Sequence, residues 1–275
     1  MKMVIEKYSQ KVIKYIEKYN LDEIVQFDNC VPQISTYESV DKNNKESYPP
    51  DWNDLIRLHN IIVSRKVTTI LEFGVGYSTL ICAHALNYNK QQHKKFVSDN
   101  IRKDDAFKIH SVDSYYHWID VTKSKMNKNL METTKFLYSE VIMSDWQGRI
   151  CTYYRNLPNI CPDFIYLDAP DQFNVGGNIR NISTAHSDRM PMSADILAIE
   201  HFLLPGTLIL VDGRTANARF LKTNLQRNWK HTHDFDGDIH YFELIETPLG
   251  KYNKIHIDWA LGEEYYNKLE KYNGK

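Results

Sequence analysis

Three runs of the chain are apolar almost throughout and close on a carboxylate: Lys108-Ile-His-Ser-Val-Asp113, Asp163-Phe-Ile-Tyr-Leu-Asp168 and Thr207-Leu-Ile-Leu-Val-Asp212. A fourth, Val67-Thr-Thr-Ile70-Leu71-Glu72-Phe73, carries its carboxylate one residue from the end, and a fifth strand is read around Lys135 to Ser139. Strands buried on both faces read as continuous apolar runs, and helical crossovers between them imply parallel pairing. The chain is therefore confined to an α/β, doubly wound sheet with helices on both sides. Ligands of such sheets lie beyond the carboxyl ends of the strands, where Glu72, Asp113, Asp168 and Asp212 all fall.

The Val67–Phe73 run passes into a helix through Gly74-Val-Gly76-Tyr-Ser78-Thr79, and the helix continues through Leu80, Ile81, Ala83, Ala85 and Leu86. Glycines there allow backbone geometry and close approach that a Cβ would block, and Ser78 or Thr79 is placed to cap the helix. A helix from Ser193 to Leu204 stops at Pro205-Gly206, and Asp236-Gly237-Asp238 between two strand-like runs predicts a hairpin that reverses the last strand. Nearer the N-terminus, residues 3–20 repeat apolar positions at helical spacing, for packing on the domain or on a partner, a second copy included. Residues 38–50, ending in Pro-Pro, read as a loop or lid, and Asp51 as the cap of a helix with Asp54 in its first turn and Leu55, Leu58 and Ile62 on one face. Residues 89–107 read as a charged, solvated insertion. The organisation is thus an extension over 1–50, a domain over 51–250 and a tail over 251–275.

Composition closes off several classes. The 275 residues carry 34 Lys+Arg against 35 Asp+Glu, a formal net charge of −1 with no basic stripe, so nucleic acid is not an expected partner. No uncharged run approaches the roughly 18 residues of a membrane helix, and the N-terminus lacks a signal peptide's apolar centre. A cytoplasmic protein without a membrane partner is expected. Cys30, Cys82, Cys151 and Cys161 show no metal-ligand spacing and read as free thiols.

Taken in order, Glu72-Phe-Gly74-Val-Gly76-Tyr-Ser78-Thr79, Asp113, Pro162-Asp163-Phe-Ile-Tyr-Leu-Asp168-Ala-Pro170 and Leu204-Pro205-Gly206-Thr207 leading to Asp212 resemble the class I S-adenosylmethionine-dependent methyltransferases over residues 50–246. The resemblance implies a Rossmann-like sheet of seven strands, mostly parallel with the last reversed. It also implies S-adenosylmethionine as cofactor, with the methionine part against Glu72, Gly74, Gly76, Ser78 and Thr79, and the ribose on Asp113. Adenine is placed at Ser139-Glu140, with Ser144-Asp145 as a rival register, and Asp168 beside the methyl group.

Methyl transfer from a sulfonium is an in-line displacement, so the protein positions the partners and takes a proton from a hydroxyl acceptor. Asp168 and Asp212 are candidate bases on neighbouring strands, and His186 with Asp188 and Arg189, in the long 169–192 loop, is a further candidate base or anion clamp. A divalent cation shared by the two aspartates is the less favoured arrangement. Related metal-dependent O-methyltransferases usually follow the second Asp with Asn, where this chain has Gly213. Neutral charge and a polar loop favour O-methylation of a small hydroxylated or sugar-type acceptor. Two other classes stay open: an NAD-type oxidoreductase, which the reversed last strand opposes, and a non-catalytic S-adenosylmethionine-binding or interaction protein.

Overall fold

The computed structural model describes residues 8–25 and 50–273. Helix α1 (Gln10–Tyr19), one 3-10 turn, and helix α2 (Trp52–Ser64) precede strand β1 (Thr69–Phe73) and helix α3 (Tyr77–Asn100). Strand β2 (Lys108–Asp113), helices α4 (Tyr116–Ser124) and α5 (Lys128–Thr133) and strand β3 (Thr134–Tyr138) follow. A hairpin of β4 (Val141–Trp146) and β5 (Arg149–Tyr154) comes before β6 (Phe164–Leu167), α6 (Asp195–Ile199) and β7 (Leu208–Asp212). The chain closes with α7 (Thr215–Asn224), β8 (Trp229–Asp234), β9 (Ile239–Leu244), α8 (Gly250–Ala260) and α9 (Glu263–Asn273).

Seven strands form one sheet in the order β3-β2-β1-β6-β7-β9-β8, and β4-β5 form a separate pair. β1 lies parallel between β2 and β6, and β6 parallel to β7, whereas β9 runs antiparallel to β7 and to β8. Alternate residues of each strand serve opposite faces: Ile70 packs with α1, α2 and α3, while Leu71 packs with the hairpin, α6 and α7. At the amino edge Asp163 staples β6 to the start of β1. Its Oδ1 accepts from Thr69 N (2.6 Å) and its Oδ2 from Thr68 N (2.8 Å) and Thr68 Oγ1 (3.0 Å).

The N-terminal helix packs within its own chain. Ile16, Leu21 and Val25 are buried in the same cluster as Leu55, Leu58 and Ile62 of α2, and Tyr15 Oη, His59 and His84 form a hydrogen-bonded row at 3.0 and 3.1 Å. The predicted lid lies outside the described residues except for Pro50. Asp51 caps α2 by accepting from Asn53 N at 2.8 Å, as read from the sequence.

Three expectations need correction, and one hairpin was not among them. Residues 89–100 are the second half of α3, and Val97, Ile101 and Phe107 form a small core against Trp259 of α8; the lysines around them disguise a seam whose partner is some 160 residues away in sequence. The α3 cap is Gly76, not Ser78 or Thr79, because the glycine adopts the extended backbone and its N–H donates to Thr79 Oγ1 at 3.0 Å. The helix read over Ser193–Leu204 is α6 followed by one 3-10 turn (Glu200–Phe202); Pro205 disfavours helical backbone in the residue before it. The β4-β5 hairpin, which turns at Gln147 and Gly148 with φ of 50° and 77°, went unread. Cys82 and Cys151 are free and buried, and Cys161 is free and half-buried; Cys30 lies outside the described residues. Among the described residues no helix is long and apolar enough to cross a membrane.

Candidate active site

The turn from β1 to α3 is built around a buried carboxylate. Glu72 is fully buried, with Oε1 accepting from Ser78 Oγ (2.7 Å) and Oε2 from Thr79 Oγ1 (2.7 Å) and Ser111 Oγ (2.6 Å). Burial pushes its pKa up to about 7, against the pull of these three donors. Its effect on the space above the turn therefore passes through the half-buried Ser78. Gly74 has φ 102°, and a Cβ there would stand 3.3 Å from Ala169 Cβ. Gly76 differs, since a Cβ on it would meet nothing within 4 Å. The space over the turn is open, and the backbone can be approached closely.

Asp113, at the end of β2, closes one side of this space. Its Oδ2 accepts from Val75 N at 3.1 Å, and its Oδ1 from Tyr115 N at 2.8 Å, so one carboxylate orients the glycine turn and opens α4. Burial raises its pKa to about 6. Ser139 follows β3 directly; its N–H donates to Asp113 O at 2.9 Å, and its Oγ accepts from Asn156 N at 2.9 Å. Glu140 is exposed and paired with Arg155 Nε at 2.7 Å. The rival Ser144 and Asp145 lie inside β4, in the separate hairpin.

On the other side, β6 and β7 bring their terminal carboxylates to one mouth. Asp168 leaves 53% of its side chain open to solvent, with Arg214 Nε 3.5 Å from its Oδ1. Arg214 also donates to the Asp168 and Pro170 carbonyls at 2.5 and 2.8 Å, fixing the loop after β6. Tyr166 Oη donates to Asp212 Oδ2 at 2.5 Å, and no donor among the described residues takes Oδ1. Desolvation and the neighbouring Asp168 charge push Asp212 up to about 6. Asp54 of α2 joins them, raised to about 6 by burial and by Asp212 and held by Arg57 NH1 at 2.6 Å.

From the sequence Asp54 reads only as a first-turn helix residue, and Arg57, Tyr166 and Arg214 are not among the candidate site residues. Arg214, two residues past Asp212, was the legible one. His186 stands apart, exposed on the 169–192 loop, with its Nδ1 accepting from Asp188 N at 3.1 Å. No hydrogen bond or ion pair among the described residues joins it to Asp168 or Asp212, and Arg189 turns to Ser183 O at 2.9 Å. Among the described residues no three His, Cys, Asp or Glu side chains are grouped to hold a metal ion. Two clefts of about 410 and 500 Å³ lie around Lys103, Asn253 and His256, at the opposite edge of the sheet from these carboxylates.

A glycine turn after the first strand, a carboxylate closing the second, and a sheet that reverses only beyond the fifth parallel strand complete the pattern. The fold is that of the class I S-adenosylmethionine-dependent methyltransferases. No family model and no curated protein match the chain. Among solved structures, it is similar to the Podospora anserina methyltransferase PaMTH1 bound to SAH, at 12% identity over 87% of this chain and 89% of that one, with a TM-score of 0.41. It is likewise similar to the SAM complex of the O-methyltransferase TomG from Streptomyces achromogenes, at 14% identity over 87% and 91% with a TM-score of 0.40. For an O-methyltransferase from Bacillus cereus in complex with SAH the values are 13%, 86%, 91% and 0.40. At this distance the likeness adds nothing to what the strand order of the methyltransferase fold already states.

Proposed function

We propose that the chain binds S-adenosylmethionine over the β1-α3 turn and methylates a hydroxyl of a small or sugar-type acceptor. The observation that carries this reading is the pairing of two dissimilar surfaces at one sheet edge: an open glycine turn bordered by Asp113, and a mouth where Asp54, Asp168 and Asp212 converge. When bound, the cofactor supplies an activated methyl group on a sulfonium. Gly74 and Gly76 let a ligand lie on the backbone, and Asp113 is well suited to two ribose hydroxyls because a carboxylate offers several acceptor sites.

At the mouth Asp212 is the better-placed base. Its pKa near 6 leaves it ionised at neutral pH yet basic enough to accept a proton, and Tyr166 holds one oxygen so that the other faces the acceptor. Asp168 lies beside it on the adjacent strand, and Arg214 holds the loop that carries it. Glu72, Ser78 and Thr79 keep the shape of the turn, and Ser139-Glu140 border the adenine end.

Calorimetry tests the cofactor half. S-adenosylhomocysteine should bind the full chain at micromolar concentration, and Asp113→Ala should weaken it at least tenfold, the effect expected when a charged hydrogen-bond partner is removed. No binding of either S-adenosylmethionine or its demethylated product would remove the proposal. A panel of sugars, nucleotide-sugars and phenols tests the acceptor half; methylation of a protein or nucleic acid instead would overturn it.

A further inference from the structure

The β4-β5 hairpin packs a side chain against the residue that leads into the glycine turn. Tyr154, the last residue of β5, is 4% exposed, and its ring packs on Phe73, immediately before Gly74, with centroids 5.7 Å apart. Its hydroxyl has no hydrogen-bond partner among the described residues. A buried hydroxyl without a partner costs about 1–3 kcal/mol, so native folds rarely keep one without a reason.

The carboxylates around the phenol do not supply a partner. Asp113, whose charge bears most strongly on it, is taken up by Val75 N and Tyr115 N. Asp195, next in strength, accepts from Tyr154's own N–H at 3.0 Å and from Ser193 Oγ at 2.8 Å. Burial holds the phenol protonated well above its ordinary range, so it is a neutral group that can donate at any physiological pH. The two residues after it are bonded to Ser139 and Glu140, the proposed adenine end: Arg155 N donates to Glu140 O at 2.8 Å and Asn156 N to Ser139 Oγ at 2.9 Å.

We propose that the Tyr154 hydroxyl is a cofactor-binding group, hydrogen-bonded to the adenosyl half of S-adenosylmethionine beside Asp113. The inference rests on the methyltransferase reading and adds a contact delivered by an element outside the seven-stranded sheet. Tyr154→Phe removes the hydroxyl and keeps the ring against Phe73. In the full chain the variant should melt at the wild-type temperature or higher without ligand, because no group among the described residues uses the hydroxyl. Calorimetry should give S-adenosylhomocysteine and 5′-methylthioadenosine, which lacks the amino-acid part, about tenfold weaker binding by the same factor.

Unchanged affinity for both compounds would mean a hydroxyl satisfied by buried water, and the proposal would fail. Weaker binding of S-adenosylhomocysteine alone would move the contact to the amino-acid half and equally overturn it. Should the wild-type chain bind neither compound, the methyltransferase reading itself falls, an outcome distinct from both.

Discussion

Gly74 and Asp113 act as a unit at the scale of single residues, because the turn that one permits is held by the other. With φ at 102° and Ala169 Cβ 3.3 Å from where its own Cβ would lie, position 74 refuses any branched side chain. Gly74→Val should therefore lose S-adenosylhomocysteine binding by at least 100-fold in calorimetry, and lower thermal stability by about 2–3 kcal/mol through strain. A variant that bound normally would show that the ligand does not lie on this turn. The spacing of the glycines and carboxylates made this part of the site legible, since geometry imposed by the backbone leaves a trace in the sequence. Asp54, Arg57 and Tyr166 left no such trace. The role of Asp54 and Arg57 arises only when α2 folds over the ends of β6 and β7, and a first-turn aspartate looks the same wherever the helix lands.

Strand β6 shows what an element does with identical residues at its two ends. Asp163 at the amino end is occupied by Thr68 and Thr69 and lies 3.6 Å from Lys103 Nζ, whereas Asp168 at the carboxyl end opens to solvent beside Arg214. Asp163→Asn should cost about 2–3 kcal/mol, lowering Tm by roughly 5–10 °C, because it removes one acceptor oxygen and leaves Lys103, which also donates to Cys161 O at 2.6 Å, without a carboxylate. Its kcat should stay near wild type. Asp168→Asn should do the reverse, keeping Tm within about 2 °C while reducing kcat on the order of 100-fold. Thermal melts and a methyl-transfer assay on the same two proteins separate the roles; matching losses in both measurements would contradict the division. The apolar run between the two aspartates announced the strand, but the sequence alone does not say which end carries the chemistry. Strand direction within a doubly wound sheet does. The β4-β5 hairpin is hidden for a different reason: Gln147-Gly148 is a weak turn signal, and Ser144-Asp145 can be read instead as the end of the third strand.

Across the whole molecule, buried ionisable groups oppose one another in their response to pH. Glu72 and Asp195, raised by burial to about 7, and Asp113, raised to about 6, hold protons in the folded chain that the unfolded chain has released. Their contribution is complete below the unfolded pKa and is lost as pH rises through 6 to 7. His240 and His256, lowered by burial to about 4, and His59, lowered to about 3, behave in the opposite sense. They stay neutral in the fold while the unfolded chain takes up protons, so their contribution is present above about 6.5 and falls toward acid. Between about pH 4.5 and 6.5 the two sets therefore push stability in opposite directions. Removing one member tilts the balance. Glu72→Gln deletes a carboxyl whose pKa moves from 4.5 unfolded to about 7 folded, so wild-type stability measured relative to this variant should fall by about 3 kcal/mol between pH 4.5 and 7.5. Urea unfolding of both proteins at closely spaced pH values reads this difference directly. The loss of hydroxyl partners in the variant shifts the curve by a constant and leaves its slope untouched. A flat difference would mean that Glu72 titrates in the fold as it does in the unfolded chain, and that the floor beneath the glycine turn is wetter than its packing allows.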